Sequence, residues 1–137
     1  MRLRREYVEL VARQRTANVA TAGADGTPHV VPVCHVLAEG RIYFGTGRKS
    51  TKVRHVRANP AAALTVDVYA EDWSLLKGVM IQGRAAVIER GPRFRKIRDL
   101  LYRKYPQYPR ASALSERDSV MIEITPARVV AWGFERG

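Results

Sequence analysis

The chain has 137 residues, with 24 lysines and arginines against 13 aspartates and glutamates, so its formal net charge at pH 7 is +11. This length predicts one domain over residues 1–137, stable without disulfides or structural metals. A single cysteine, a charged N-terminus and the lack of an apolar run of about 18 residues argue against secretion and membrane insertion, so we expect a cytoplasmic protein. The charge favours an anionic partner: nucleic acid, an acidic membrane or a phosphorylated small molecule.

The chain begins with apolar residues at helical spacing, which predict an opening helix around Leu3–Val11. Short runs rich in β-branched and aromatic residues follow and predict strands over residues 17–21, 28–37, 41–46, 61–69, 76–88, 119–124 and 128–134. Glycines at residues 23, 26 and 40 permit tight turns, so the first strands should form an antiparallel meander.

Three further signals set the helices and the last break. Ser50 predicts the N-cap of a helix that ends at Asn59-Pro60, and Pro92 predicts the first residue of another that ends before Pro106. Thr125-Pro126 predicts a break between the last two strands. Six or seven strands with about three short helices indicate a mainly β fold, a closed or partly closed antiparallel barrel, with a sandwich as the alternative.

Residues 43–52, Tyr-Phe-Gly-Thr-Gly-Arg-Lys-Ser-Thr-Lys, form a candidate anion site. A glycine-rich turn leads there from a strand into a helix, whose N-terminal N–H groups and dipole favour a phosphate. Ser50 and Thr51 add hydroxyls, and Lys52 adds a charge that Arg48 and Lys49 reinforce. The alternative is a simple cap beside a solvated basic face. The spacing does not match a Walker A loop, so nucleotide hydrolysis is not expected.

Three segments in this order resemble the pyridoxamine 5′-phosphate oxidase-like split-barrel superfamily: residues 26–33, the block from Thr46 through Ser50-Thr51-Lys52 to Asn59-Pro60, and residues 124–132. Residues 66–74, 83–85 and 104–108 are similar to an actinobacterial subgroup associated with the deazaflavin F420. The resemblance implies a six- to seven-stranded antiparallel split β-barrel that binds FMN or F420. It also implies hydride transfer between that cofactor and a small molecule.

The resemblance assigns cofactor-binding roles to two segments and one tryptophan. The strand residues that would line the ring and ribityl chain are Val31, Pro32, Val33 and Cys34. The residues that would hold the phosphate are Gly45, Thr46, Ser50, Thr51 and Lys52. Trp132 falls where the family places a tryptophan from the second subunit, which implies a homodimer with sites at its interface. The alternative for Trp132 is a core position.

Departures from the family argue against a true pyridoxamine phosphate oxidase. No C-terminal basic segment follows Gly137, Gly78 stands about where the oxidases have a glutamine, and Val30 about where they have an arginine. We therefore expect an FMN- or F420-dependent oxidoreductase with an altered pocket. Its substrate contacts should come from loops 69–75 and 105–115.

No catalytic acid or base is assigned. His29 and His35 are candidates for a proton donor, with a structural role as the alternative. Together with His55 and Cys34 they do not match metal-ligand spacing, so no metal is expected. The basic helix from Arg93 to Lys104 leaves a nucleic-acid-binding module as one alternative, or it could attract the polyglutamate tail of F420. A haem-binding split barrel is another alternative.

Overall fold

The computed structural model describes residues 1–134, in which seven strands and four helices make up one domain. The strands are β1 (Ala17–Ala22), β2 (Pro28–Val33), β3 (His35–Ala38), β4 (Arg41–Gly47), β5 (Ala61–Val68), β6 (Lys77–Ile88) and β7 (Ser119–Trp132). The helices are α1 (Arg5–Arg13), α2 (Thr51–Ala58), α3 (Pro92–Lys104) and α4 (Tyr108–Ala111), and a 3₁₀ turn covers Trp73–Leu75. None of these helices is both long and apolar enough to cross a membrane.

All seven strands belong to one antiparallel sheet with the order β2-β1-β5-β6-β7-β4-β3. Its two edge strands, β2 and β3, are joined in the chain by a single residue, Cys34. The sheet must therefore curl until its edges meet, which confirms the predicted barrel-like β fold.

The predicted strand over residues 28–37 is divided at Cys34. Its first part pairs with β1, through Ala17 opposite Val33, and its second part pairs with β4, through His35 opposite Phe44. Periodicity could not reveal this division because both parts are extended and only their hydrogen-bonding neighbour changes. Pro28 and Pro32 fit the free edge of β2, where a missing N–H costs little.

The predicted break at Thr125-Pro126 is wrong, because β7 runs continuously from Ser119 to Trp132. The register with β6 shifts there: Gln82 lies opposite Arg128, whereas Gly83 lies opposite Pro126. This leaves Ala127 as the extra residue of a β-bulge, which lets a strand carry a proline without ending. A Cβ on Gly83 would stand 2.1 Å from the Thr125 carbonyl oxygen, so only glycine fits opposite the bulge.

Two apolar clusters hold the fold together. The barrel core fills the inside of the curled sheet and is closed at opposite ends by α1, through Leu10 and Val11, and by α2, through Val53 and Val56. The second cluster, which we call the α3 cluster, packs α3 onto the outside of β3, β4 and the first half of β7. Its members are Val36, Tyr43, Phe94, Ile97, Leu101, Tyr105, Leu114 and Met121.

Among the elements of residues 1–134, no helix lies over the outer side of β2, β1, β5, the first half of β6 and the second half of β7. We call it the open face. Two rows of residues cross its five strands. The first row is Pro32, Asn18, Thr65, Met80 and Val130, and the second is Val30, Ala20, Ala63, Gln82 and Arg128. Val30 is 66% exposed and Val130 is 40% exposed. A sheet face this apolar, without cover, is typical of a surface that another molecule occupies.

The helix boundaries follow local chemistry. Ser50 caps α2, and its side chain accepts a hydrogen bond from the Val53 N–H, as predicted. Pro92 is the first residue of α3, also as predicted. The sequence did not predict the one-turn helix α4 or the 3₁₀ turn, because three or four residues carry too little periodicity.

Candidate functional site

The turn from β4 into α2 is an ordered hydroxyl-rich segment. Thr46 Oγ1 donates to Ser50 Oγ over 3.1 Å, and Ser50 Oγ accepts from the Val53 N–H over 3.4 Å. The Ser50 N–H donates to the Gly47 carbonyl over 3.0 Å, which closes the turn. The N–H groups of Thr51 and Lys52 begin the helix and have no intrahelical acceptor, so they are free for an anion.

Lys52 is the cation of this site with the strongest reason to bind an anion. It is partly buried, and burial lowers the pKa of its amine. Within residues 1–134, no carboxylate forms an ion pair with it. A phosphate bound here would supply the missing negative charge, so these residues fit the phosphate end of the implied cofactor.

The other cations of the turn differ from expectation. Arg48 is bound to the Glu89 carboxylate and donates to the Glu116 and Arg117 carbonyls, so it fixes a neighbouring loop instead of facing an anion. Arg54, which the sequence analysis missed, donates to the Lys49 carbonyl over 2.9 Å and to Thr51 Oγ1 over 3.1 Å. Its position three residues after Thr51, on the same helix face, was the available signal.

The register of β3 and β4 brings the two predicted segments together. Since His35 lies opposite Phe44, Cys34 and Val33 leave the ladder beside Gly45 and Thr46. The strands separate from this point, because β2 pairs with β1 instead of β4. From this pairing we infer a groove between the free edge of β2 and the β4–α2 turn. A free strand edge offers backbone donors and acceptors, which a heterocyclic ring needs.

Within this groove the predicted ring-lining residues contribute mainly backbone. Val33 packs against the barrel core, Val31 faces the same way, and Cys34 packs against the α3 cluster. Pro32 points outward and is exposed. Gly45 has a packing role, because a Cβ there would lie 2.7 Å from Leu114 Cδ2. A hollow of about 530 Å³ also adjoins the turn, lined by Gly47, Arg48, Lys49, Ser50, Arg117 and Asp118.

Trp132 lies on the open face, so the core alternative is wrong. Its side chain is 41% exposed, and its indole covers Gly78, the residue opposite it on β6. A Cβ on Gly78 would stand 2.2 Å from Trp132 Cζ2. The glycine that departs from the oxidase pattern is therefore the residue that makes room for this tryptophan.

His35 is buried in a structural network. Its Nε2 lies 2.7 Å from the Val11 carbonyl, and its N–H donates to the Tyr105 hydroxyl over 3.0 Å. Lys104 Nζ donates to the His35 carbonyl over 2.9 Å. Burial lowers the pKa of His35 from 6.5 to about 4, so the ring is neutral at pH 7 and is no proton donor there.

His29 lies elsewhere, on the inner side of β2 at the α2 end of the barrel. Its ring meets the His55 ring edge-on at 5.7 Å, and His55 Nδ1 lies 3.0 Å from Thr21 Oγ1. These contacts attach α2 to the β1–β2 hairpin. His29 Nδ1 has no hydrogen-bond partner within the described chain, and the same holds for His35 Nδ1. The proton-donor role of His29 stays a prediction.

Three of the six cations on α3 form ion pairs. Arg93 pairs with Glu39 and Glu123, Arg95 with Glu116, and Lys96 with Glu39. Arg98, Arg103 and Lys104 form no ion pair within residues 1–134. The alternative of a nucleic-acid-binding module therefore stays a prediction.

Comparisons with known proteins agree with this geometry. A family model described as pyridoxamine 5′-phosphate oxidase matches residues 3–133. A 5a,11a-dehydrotetracycline/5a,11a-dehydrooxytetracycline reductase of Streptomyces rimosus is 34% identical over 127 residues, which are 89% of this chain and 77% of that protein.

Solved structures show the same fold. A conserved hypothetical protein of Mycobacterium tuberculosis, Rv2991, superimposes with a TM-score of 0.82 at 22% identity, over 96% of this chain and 85% of that one. An F420 reductase superimposes with a TM-score of 0.71 at 21% identity, over 93% of this chain and 98% of that one. The haem storage protein HutZ of Vibrio cholerae superimposes with a TM-score of 0.78 at 18% identity, over 95% of this chain and 94% of that one. From the family match and the 34% identical reductase, the chain belongs to the pyridoxamine 5′-phosphate oxidase family.

Proposed function

We propose that this protein is a homodimeric oxidoreductase that holds the phosphate of FMN or F420 at the β4–α2 turn and transfers hydride between that cofactor and a small molecule. The observation that carries the proposal is the groove itself. It combines a free strand edge at Val31–Cys34, two amides at the start of α2, and Lys52, a cation with no ion pair among residues 1–134. These are the parts that a ring joined to a phosphate requires.

The protein's own residues would bind and orient the cofactor. The hydroxyls of Ser50 and Thr51, the first amides of α2 and Lys52 hold the phosphate, and the backbone of β2 positions the ring. Redox chemistry would be supplied by the bound cofactor. His35 is excluded as an acid by its burial, and we assign no other residue as acid or base.

The open face supports the homodimer. Exposed Trp132, Val130 and Val30 lie on one side of the sheet, where a second copy would cover them. Aromatic side chains on an apolar surface are typical of interface centres. The groove borders this face along β2, so both sites of a dimer would lie near its interface.

The substrate class follows from the related reductase. That protein is named for the reduction of dehydrotetracyclines. We propose a conjugated small molecule that accepts hydride as the substrate of this chain, and a polycyclic enone as the first compound to test.

The test is a titration of the purified protein with FMN and, separately, with F420, monitored by cofactor fluorescence and by bound stoichiometry against mass from light scattering. One cofactor per chain, in a dimer, is expected for one of the two ligands. Haemin is titrated in parallel, because the similar structures include a haem storage protein. If neither FMN nor F420 binds at micromolar concentrations, the proposed function is wrong. Haemin binding alone would replace it with the haem alternative.

A further inference from the structure

The β-bulge at Ala127 decides which side chains of β7 reach the open face. Before the bulge, even-numbered residues such as Ile124 are buried inside the barrel. The extra residue shifts the alternation of the strand by one position, so the even-numbered residues after it point outward. These outward residues, all exposed, are Arg128, Val130 and Trp132. The bulge therefore places an arginine and a tryptophan on the same side of one strand.

Arg128 is the charged member of the second row of the open face. The other members of that row, Gln82, Ala63, Ala20 and Val30, are uncharged. Within the part of the chain that the structure describes, Arg128 forms no ion pair. In a single copy water can solvate its guanidinium. A second copy that covers the face would remove this water, so the buried charge would then need an anion.

The order of the strands limits how two open faces can meet. The face consists of β2, β1, β5, β6 and β7 in that order, so β5 is its central strand. A twofold axis between two facing sheets runs either across the strands or along them. An axis across the strands lays β7 on the partner's β7, whereas an axis along β5 lays β7 on the partner's β2. Only the axis along β5 brings Trp132 to the groove of the other copy, as a site shared between subunits requires.

This axis brings residues of the same row together across the interface. Val130 of one copy then meets the partner's Pro32, and Arg128 meets the partner's Val30, because sheets packed face to face keep their strands nearly aligned. The outward residues of β2 are Pro28, Val30 and Pro32, which carry no charge. The strand that Arg128 covers therefore has no carboxylate on this side to pair with it.

In this pairing β7 of the second copy follows the direction of the groove. Cys34, at the ring end of the groove, and Trp132 each lie two residues beyond the first row. At the other end β2 approaches α2, and His29 packs against that helix. Arg128 lies four residues, or about 13 Å, from Trp132 towards the α2 end. The tryptophan is thus placed for the ring and the arginine for the phosphate.

We propose that Arg128 is a phosphate-binding residue supplied by the second copy: its guanidinium reaches over the free edge of the partner's β2 and binds the cofactor phosphate at the start of the partner's α2. The inference rests on the proposed function, and it adds to each site a cation that the site's own chain does not provide. A guanidinium can donate two parallel hydrogen bonds to phosphate oxygens, which complements the single charge of Lys52.

The first test compares ligands with and without a phosphate. Arg128→Gln should weaken binding of the phosphorylated cofactor about tenfold, because a charge-assisted contact is lost. Binding of the unphosphorylated core, riboflavin or its deazaflavin counterpart, should stay within about twofold of the wild type. Fluorescence titration measures both affinities. Arg103→Gln, on α3 and off the open face, is the matched control and should change neither. Equal losses for the two ligands, or no loss, would overturn the assignment.

The second test decides which copy supplies the arginine. A heterodimer of an Arg128→Gln chain and a Lys52→Ala chain is purified through two different affinity tags. If Arg128 acts on the partner's site, one site of this heterodimer has both cations and the other site has neither. We therefore expect one site per dimer with the wild-type affinity. If Arg128 acts within its own chain, each site lacks one cation, and the absence of any site with wild-type affinity would overturn the proposal.

Light scattering and circular dichroism accompany both tests. The Arg128→Gln protein should stay folded and dimeric, because Arg128 lies at the border of the open face. Dissociation into monomers would assign Arg128 to assembly instead of to the phosphate, and the proposal would be overturned. A wild type that binds neither FMN nor F420 refutes the proposed function. A wild type that binds its cofactor with full affinity as a monomer refutes only the homodimer and the contribution from a second copy.

Discussion

Lys52 is the residue whose substitution tests the proposed phosphate site most directly. Its amine is partly buried and has no carboxylate partner in the part of the chain that the structure describes, and it lies at the start of a helix whose first amides have no intrahelical acceptor. Lys52→Ala should therefore weaken cofactor binding by about 1–3 kcal/mol, as expected when a charge-assisted contact to a phosphate is lost. The measurement is a fluorescence titration of the cofactor that the wild type binds.

The control for Lys52 is Arg103→Ala, which removes an equal charge from the exposed side of α3, away from the turn. It should change the affinity by less than about 0.5 kcal/mol. Equal losses in the two variants would mean that only the overall charge of the protein matters, and the phosphate assignment would then be wrong.

His35 makes stability depend on pH. Its folded pKa is about 4, below the usual 6.5, because the ring is buried. The folded state therefore keeps the ring neutral, and the neutral ring makes its whole contribution to the free energy of unfolding above pH 6.5. As the pH falls from 6.5 to 4, the unfolded chain takes up a proton that the folded chain does not. The free energy of unfolding therefore decreases by up to about 3 kcal/mol.

Two measurements check the His35 prediction. NMR titration of the histidine ring protons should show one of the three histidines with a pKa near 4, and urea unfolding should show the free energy declining between pH 6.5 and 4. If no histidine titrates near pH 4, water reaches the His35 ring, contrary to its position under α1 and Tyr105.

Tyr105 decides how α3 is attached to the start of β3. Its hydroxyl accepts from the His35 N–H over 3.0 Å and lies 2.8 Å from the Arg15 carbonyl and 3.0 Å from the His35 carbonyl. Tyr105→Phe leaves buried backbone groups unpaired and should lower the free energy of unfolding by about 1–3 kcal/mol. Tyr7→Phe, which removes an exposed hydroxyl on α1, should cost less than about 0.5 kcal/mol. Equal effects in urea unfolding would contradict this attachment.

At the level of elements, the sequence predicted where helices begin but not which strands pair. Ser50 and Pro92 marked the starts of α2 and α3 correctly because a cap and a first-turn proline act within one turn. The division at Cys34 and the bulge beside Pro126 depend on strands distant in sequence, so no local pattern shows them.

The candidate site shows the same limit. The hydroxyls and Lys52 of the turn were predictable, because helix N-terminal chemistry depends on neighbouring residues. The attachment of Arg48 to Glu89 and to the loop before β7 was not, since those groups come from other parts of the chain. The inward direction of Val33 also follows from the curl of the sheet, which makes its backbone the part available to a ligand.

For the whole molecule, the open face is the surface through which we propose that two copies assemble. Val130 is 40% exposed, so Val130→Glu should leave the fold of the single chain intact and yet convert the dimer to monomers, because an unpaired carboxylate would be buried in the interface. Light scattering measures the mass, and circular dichroism the fold. Ala12→Glu, on the exposed side of α1, is the control and should remain dimeric. A dimeric Val130→Glu protein would place the interface elsewhere.

The junction at Cys34 has a consequence for how the ring of the proposed cofactor would enter the groove. The two edge strands are each anchored to a different neighbour, β2 to β1 and β3 to β4, and no ladder bond joins β2 to β4 in residues 1–134. Widening the seam between them needs only a change of backbone torsion around one residue. In the proposed binding, ring entry would break no strand pairing, and the pairing of β1, β5 and β6 would be the same with the seam empty or filled.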